Sequence, residues 1–386
     1  MIGGGTAFRR LPTLLLAGLF LLTAPACTLA EFLRIVSWNT RNAFEPYLAP
    51  PAAATILQGL GQERWNTIQR PADVLLLQEQ NNTTSSTTQS YLDLMNGLYG
   101  AGTYAKGTLV AGATVSPNTD SGAIIYNTRT VQLIAEKLVG NPSTSGQPRQ
   151  QIRYRLRPVG YTASDDFYAY NGHYKAFSGS TNEQRRLVEA TAVRADADAL
   201  GQGARIIYAG DFNLTGGSAE PAYQKLLSAG PGQAFDPIRR PGMWTNNAAF
   251  LGVHTASSTS LDARFDFQLV SEELLSGPGL RYVDGSYRVF GNNGSVPIDG
   301  SVNSPSNTAL QGLPNRAAVL AALASVSDHL PVVADFRLPY RPDGPWFTPT
   351  PIYGPPGAPV FMPIPEPGTC WVLTLLWLVP RRRQAA

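Results

Sequence analysis

Six short segments of the chain end β-forming runs at residues able to hold a metal or a phosphate. They are Ser37-Trp38-Asn39, Gln78-Glu79, Asn171-Gly172-His173, Gly210-Asp211-Phe212-Asn213, Arg264-Phe265-Asp266 and Ser327-Asp328-His329. Loops at strand ends, held by a rigid sheet, concentrate catalytic groups, so the six segments imply one site assembled from distant pieces. Glu79 closes the apolar run 74–77. A carboxylate at the end of a buried strand is costly unless something positive neutralises it, and a divalent cation would. Asp211 and Asn213, two apart on an extended segment, point the same way. One can accept from a water while the other donates to a phosphate oxygen.

Asp328 and His329 are adjacent and project to opposite sides if extended, so Asp328 can reach a metal while His329 faces a substrate. Asp266 is then the natural acceptor for the second nitrogen of His329. His173 supplies another imidazole, and Asn39 a neutral oxygen ligand or an amide donor. Oxygen donors of this kind suit Mg²⁺ or Mn²⁺ better than zinc. Together these groups describe metal-assisted hydrolysis of a phosphate ester by water, without a covalent intermediate.

The positioning elements are short strand patterns at 33–38, 74–77, 123–126, 151–156, 167–171, 205–209, 265–270 and 332–336. A helix is predicted over 181–200, opened by a capping box of Ser180 and Glu183 with Leu187, Ala190, Val193, Ala197 and Leu200 on one face. A shorter helix is predicted at 316–323. The polar stretches 81–89 and 292–307 read as loops. Strands with interspersed helices suggest packed sheets with helices outside. His254 reads as a loop histidine and Trp38 as core; Tyr126, Arg129 and Lys175 flank the site's strands.

The two ends differ from the body. Residues 8–30 carry Arg9 and Arg10, an apolar run at 14–22 and then small residues, the layout of a secretory signal peptide spanning 1–30. Cleavage is expected near Ala30, with Ala26-Cys27 as an alternative lipoprotein site. After Leu338 prolines recur, so 339–364 reads as a semi-extended spacer. Lys and Arg total 30 against 27 Asp and Glu, but the body, 31–338, holds 24 against 25 and is net −1. A near-neutral body has no global pull on polyanions, so any nucleic-acid binding must come from a local patch or a metal. Both cysteines, Cys27 and Cys370, lie outside the body, which excludes a cysteine nucleophile or a cysteine-ligated zinc there.

The ordered segments, with Arg264-Phe265-Asp266-Phe267-Gln268-Leu269-Val270-Ser271 and Ser327-Asp328-His329-Leu330-Pro331-Val332 in full, resemble the motifs of the endonuclease/exonuclease/phosphatase superfamily. The resemblance implies an α/β fold: a four-layer sandwich of two packed, mostly antiparallel sheets flanked by helices, over 31–338. It implies that Glu79 and Asn39 bind Mg²⁺ or Mn²⁺, with Asp328 serving the metal side. Asp211 would orient or activate the water and Asn213 contact the scissile phosphate. His173 and His329 would hold phosphoryl oxygens or move protons, with Asp266 orienting His329. The tail, 365–386, resembles the PEP-CTERM sorting signal: Pro365-Glu366-Pro367, an apolar stretch, then Arg381-Arg382-Arg383. Its partner would be a surface sorting and processing machinery, with transient membrane association before display at the cell surface or release. The expectation is an exported monomer acting on a phosphodiester, nucleic acid among the candidates. A phosphomonoesterase on inositol or sugar phosphates, or a non-catalytic binding module, is the alternative.

Overall fold

In a computed structural model the described residues are Met1, 32–41, 51–81, 87–109, 121–141 and 148–340. The signal-peptide, spacer and sorting-tail expectations, and both cysteines, lie outside them, save for the first residue of the chain and the first two of the spacer. Among the described residues no helix is long and apolar enough to cross a membrane.

In chain order the elements are β1 (Phe32–Asn39), α1 (Pro51–Gln62), the ribbon of β2 (Arg64–Trp65) and β3 (Ile68–Gln69), β4 (Val74–Gln80) and α2 (Thr87–Tyr99). Then come β5 (Tyr104–Lys106), β6 (Ser121–Asn127), β7 (Val131–Val139), β8 (Gln151–Pro158), β9 (Phe167–His173), α3 (Ser180–Asp198) and β10 (Ile206–Asp211). The chain continues through α4 (Pro221–Leu227), β11 (Asp266–Val270), α5 (Glu272–Leu275), β12 (Arg281–Tyr282), β13 (Arg288–Val289), α6 (Arg316–Val326) and β14 (Val332–Arg337).

One sheet runs β12-β14-β1-β4-β6-β5 with β13 also on β14; the other runs β11-β10-β9-β8-β7. Period-2 alternation divides β1 between two cores. Leu33 and Ile35 join the cluster shared with the second sheet, while Val36 and Trp38 face α1, α2 and α6. Helix α3 packs outside the second sheet through Ala190, Val193 and Ala197. The expected two sheets flanked by helices are therefore present.

Each sheet contains one parallel pair, β1 with β4 and β9 with β10, and its other pairings are antiparallel. The carboxyl ends of those four strands carry Asn39, Glu79, His173 and Asp211. Antiparallel neighbours β11 and β14 start at the same end, with Asp266 opening one and His329 just ahead of the other. The topology thus delivers six separate segments to one end of the sandwich.

Several expectations need correction. Helix α3 starts at Ser180 with Gly179 as its N-cap and no side-chain cap bond, so the Ser180–Glu183 capping box does not form. The stretch 81–89 is not all loop, because α2 begins at Thr87. His254 does lie in a loop as expected, but fully buried, its Nε2 2.7 Å from Trp244 O. Tyr126 pairs with Val74 while Ser121 pairs with Gln80, which puts Tyr126 and the following turn with Arg129 at the far end from the site.

Candidate active site

The second sheet sets three site residues in a row. Asp211 is the register partner of His173 on one side and of Asp266 on the other. Such cross-strand neighbours sit about 5 Å apart. The two strands come close here because both partners one step back are glycines: a Cβ on Gly210, whose φ is +145°, would stand 1.9 Å from Gly172 O. In the first sheet β4 is irregular between Leu77 and Gln80, and Glu79 has φ +54°. A bulged, left-handed residue re-aims its side chain, which explains why a carboxylate leaves an otherwise buried strand.

Asp211 Oδ2 is the centre of the cluster. Asn39 Nδ2 donates to it at 3.0 Å and also to Glu79 Oε1 at 3.0 Å. His173 Nε2 lies 3.6 Å from Asp211 Oδ2 and 3.7 Å from Glu79 Oε1, and His329 Nε2 lies 3.9 Å from Asp211 Oδ2. Asp211 Oδ1 accepts from Asn213 N at 3.0 Å, an Asx turn that fixes the carboxylate and leaves Oδ2 to the site. The Asn213 amide donates to Tyr174 O at 3.1 Å.

His329 Nδ1 meets Asp266 Oδ2 at 2.7 Å. Asp266 is held by Thr255, whose Oγ1 accepts from Asp266 N at 3.0 Å, and Arg264 turns away to pair with Asp236. Ser327 Oγ donates to Asn39 O and accepts from His329 N, while Trp38 Nε1 donates to His329 O at 3.1 Å. Trp38 is thus core and also a brace for the site. Below the cluster, Asn171 Nδ2 donates to Leu77 O and Ala123 O, and Gln78 Nε2 to Asn171 Oδ1 at 2.7 Å, so buried amides tie the two sheets together. Gln78 and Asn171 lie within the motifs yet act as bridges between sheets, and their signal in the sequence is a polar residue inside a strand of otherwise apolar pattern.

Electrostatics follow from this crowding. Burial, with Asp266 and Glu79 adding repulsion, pushes the Asp211 carboxyl up to about 7 against the opposing pull of His329 and Asn39. Burial works against charge on His329, but Asp266 and Asp211 outweigh it and raise the imidazole well above its usual value. Two groups could hold a metal: Glu79 with His173 and Asp211, and Asp211 with Asp266 and His329, each with donor atoms within 4.8 Å of one another. An oxygen-rich donor set around a buried carboxylate that resists ionisation fits a hard divalent cation.

Two expected ligands are placed differently. Asn39 Oδ1 accepts from Arg41 N at 3.0 Å, so the side chain offers N–H rather than oxygen to the cluster. Asp328 points outward, 38% exposed and 3.7 Å from Arg41, in neither metal-capable group. Its neighbour His329 points inward, to Asp266.

The sequence profile of the Endonuclease/Exonuclease/phosphatase family matches residues 36–329, and the chain belongs to that family. The human Nocturnin catalytic domain with bound sulfate is 17% identical at TM-score 0.50, the match covering 80% of this chain and 97% of that one. An endonuclease/exonuclease/phosphatase family protein from Bacteroides thetaiotaomicron is 14% identical over 80% and 96%, at TM-score 0.48. A humanized D. rerio TDP2 is 15% identical over 79% and 98%, at TM-score 0.47. A search of curated proteins found no match.

Proposed function

We propose that the chain is an exported, divalent-metal-dependent phosphodiesterase of nuclease type. The observation that carries the reading is the convergence of Glu79, His173, Asn39 and the Asp266–His329 pair on Asp211 Oδ2. Mg²⁺ or Mn²⁺ bound here would supply Lewis-acid charge for the phosphoryl oxygens. Of the three ligands expected from sequence, Glu79 would hold it, with His173 and Asp211 alongside. Asp211 orients the attacking water and takes its proton as the new P–O bond forms. Asn39 keeps Glu79 and Asp211 together by donating to both. Asn213, with a second amide N–H beyond the one given to Tyr174, donates to a phosphate oxygen. His329, kept protonated by Asp266, gives its proton to the departing oxygen as the old P–O bond breaks. Export rests on the leader layout, and retention at the surface on the tail.

The test is turnover by the purified chain on plasmid DNA, a single-stranded oligonucleotide, bis-nitrophenyl phosphate and phospholipid, with Mg²⁺ or with chelator. Asp211→Asn is expected to lose about 10²–10⁴-fold in rate with its melting transition retained. Equal turnover in chelator would remove the metal, and equal turnover by Asp211→Asn would remove the assigned base.

A further inference from the structure

The segment leaving β9 presents a ring that the hydrolytic chemistry does not use. Phe177 is 73% exposed and has φ +74°. A bulky L-residue seldom adopts the left-handed region, and an exposed ring gains no burial to offset it, so the observed strain invites a functional account. The segment is pinned at both ends. Tyr174 N donates to Asp211 O at 2.9 Å, and Tyr174 O accepts from Asn213 Nδ2 at 3.1 Å and from Arg149 Nη1 at 2.7 Å. Arg186, buried and paired with Glu220, donates to Lys175 O and Phe177 O at 2.8 Å each.

Between those anchors lies Lys175, 4% exposed, with Nζ 4.7 Å from the Phe177 ring centroid. Among the described residues its ammonium makes no ion pair. The guanidiniums of Arg149 and Arg185 lie close enough to repel it. The nearby Glu189 carboxylate gives one oxygen to the backbone N–H of Arg149 and the other to that of Lys175, not to the ammonium. A buried ammonium that makes no ion pair among the described residues, with guanidiniums close by, is a site for an anion.

We propose that Lys175, Arg149 and Phe177 form a nucleotide subsite beside the hydrolytic cluster. Lys175 and Arg149 take a phosphate next to the scissile one, and its base stacks on the face of Phe177 opposite Lys175. The position of this subsite rests on the phosphodiesterase reading, and it deepens that reading to single-stranded nucleic acid, because only an unpaired base can reach a lone ring. A membrane surface is disfavoured: Phe177 is followed by exposed Ser178, Gly179 and Ser180, not by an apolar face.

Binding is measured without turnover, by fluorescence anisotropy of a labelled eight-residue oligothymidylate and its abasic counterpart, using the full chain in chelator. Phe177→Ala should weaken oligothymidylate binding about 5- to 100-fold and leave abasic binding unchanged, while Phe177→Trp should retain both. Lys175→Met should weaken both oligomers and lower the slope of log affinity against log salt by about 0.7. Phe177→Gly, which relieves the backbone, should keep or raise the melting temperature while losing affinity as alanine does. Undiminished oligothymidylate binding by Phe177→Ala overturns the proposal, as does an equal loss on both oligomers. Failure of the wild type to bind either oligomer overturns it too, and Phe177-dependent binding to phosphatidylglycerol vesicles would then name a lipid ligand. Failure of the hydrolase reading would instead appear as absent turnover with base-dependent binding intact.

Discussion

Asp211 has its two carboxylate oxygens divided between structure and chemistry: Oδ1 closes the Asx turn and Oδ2 gathers Asn39 and both imidazoles. His329 depends on its neighbours for its charge, since burial alone would strip the proton that Asp266 and Asp211 retain. Asp266→Asn removes the nearer of these charges, so the imidazole should titrate lower. The rate should fall about 10²–10⁴-fold at pH 8, with a smaller deficit at pH 6 where the weakened imidazole still holds its proton. A pH-rate profile checks this, and a deficit independent of pH would assign Asp266 some other task. His254 provides the contrast, because burial lowers its titration and its bond goes to Trp244 O. His254→Ala should cost about 1–3 kcal/mol in a urea melt and leave the rate of the folded fraction within about threefold of wild type.

At the scale of elements, the site depends on where strands stop and how closely they approach. Strand ends were legible because a run of β-formers broken by Asn, Asp or His is a local signal, and 33–38, 167–171 and 332–336 fall inside β1, β9 and β14. The bulge at Glu79 was not legible, since it arises in the pairing with β6, which begins 42 residues downstream at Ser121. Nor were the buried Arg186, Glu189 and Arg194 on α3, whose hydrophobic pattern covers only part of the inward face. Arg186 pairs with Glu220 and Glu189 accepts from Arg149 N and Lys175 N, all outside α3, while Arg194 pairs with Asp198 on the helix itself. The outward turn of Asp328 was not legible: expected on the metal side, it lies beside Arg41 instead, a contact between distant segments. Gly210 tests the close approach. Gly210→Ala puts a methyl group on Gly172 O in a backbone conformation that alanine resists, and no flexible side chain can move aside. A loss of at least about 2 kcal/mol is expected from denaturant midpoints. A shift under about 0.5 kcal/mol would mean the two strands can separate at no cost.

Taken whole, the molecule is two sheets bridged by buried polar groups, with a buried ion network within the first sheet away from the site. Near the site the bridges are Gln78 and Asn171, with Gln268 Nε2 donating to Ile35 O and Val332 O further in. Toward the other end of the first sheet, Arg34 grips Asp335 through Nε at 2.8 Å, and Arg288 joins Asp335 to Glu63. Arg34 lies five residues before Asn39, about 17 Å along an extended strand, so this network bears on stability rather than chemistry. Burial opposes charge on Asp335, but the guanidiniums of Arg34 and Arg288 outweigh it and hold the carboxyl below its usual range. A carboxyl depressed in the folded state stabilises fully above its unfolded value, about 3.9, and loses that contribution as pH falls through the folded value. Asp335→Asn leaves the fully buried Arg34 with only Glu63, 4.0 Å away, as a charge partner, at a cost of about 3 kcal/mol at pH 7. The difference between variant and wild type should therefore be widest near neutral pH and narrow below pH 4, as wild-type Asp335 itself takes up a proton. Urea midpoints from pH 7 to pH 3 measure it. A gap that stays constant across that range would mean that the Asp335 charge contributes nothing and only its shape is used.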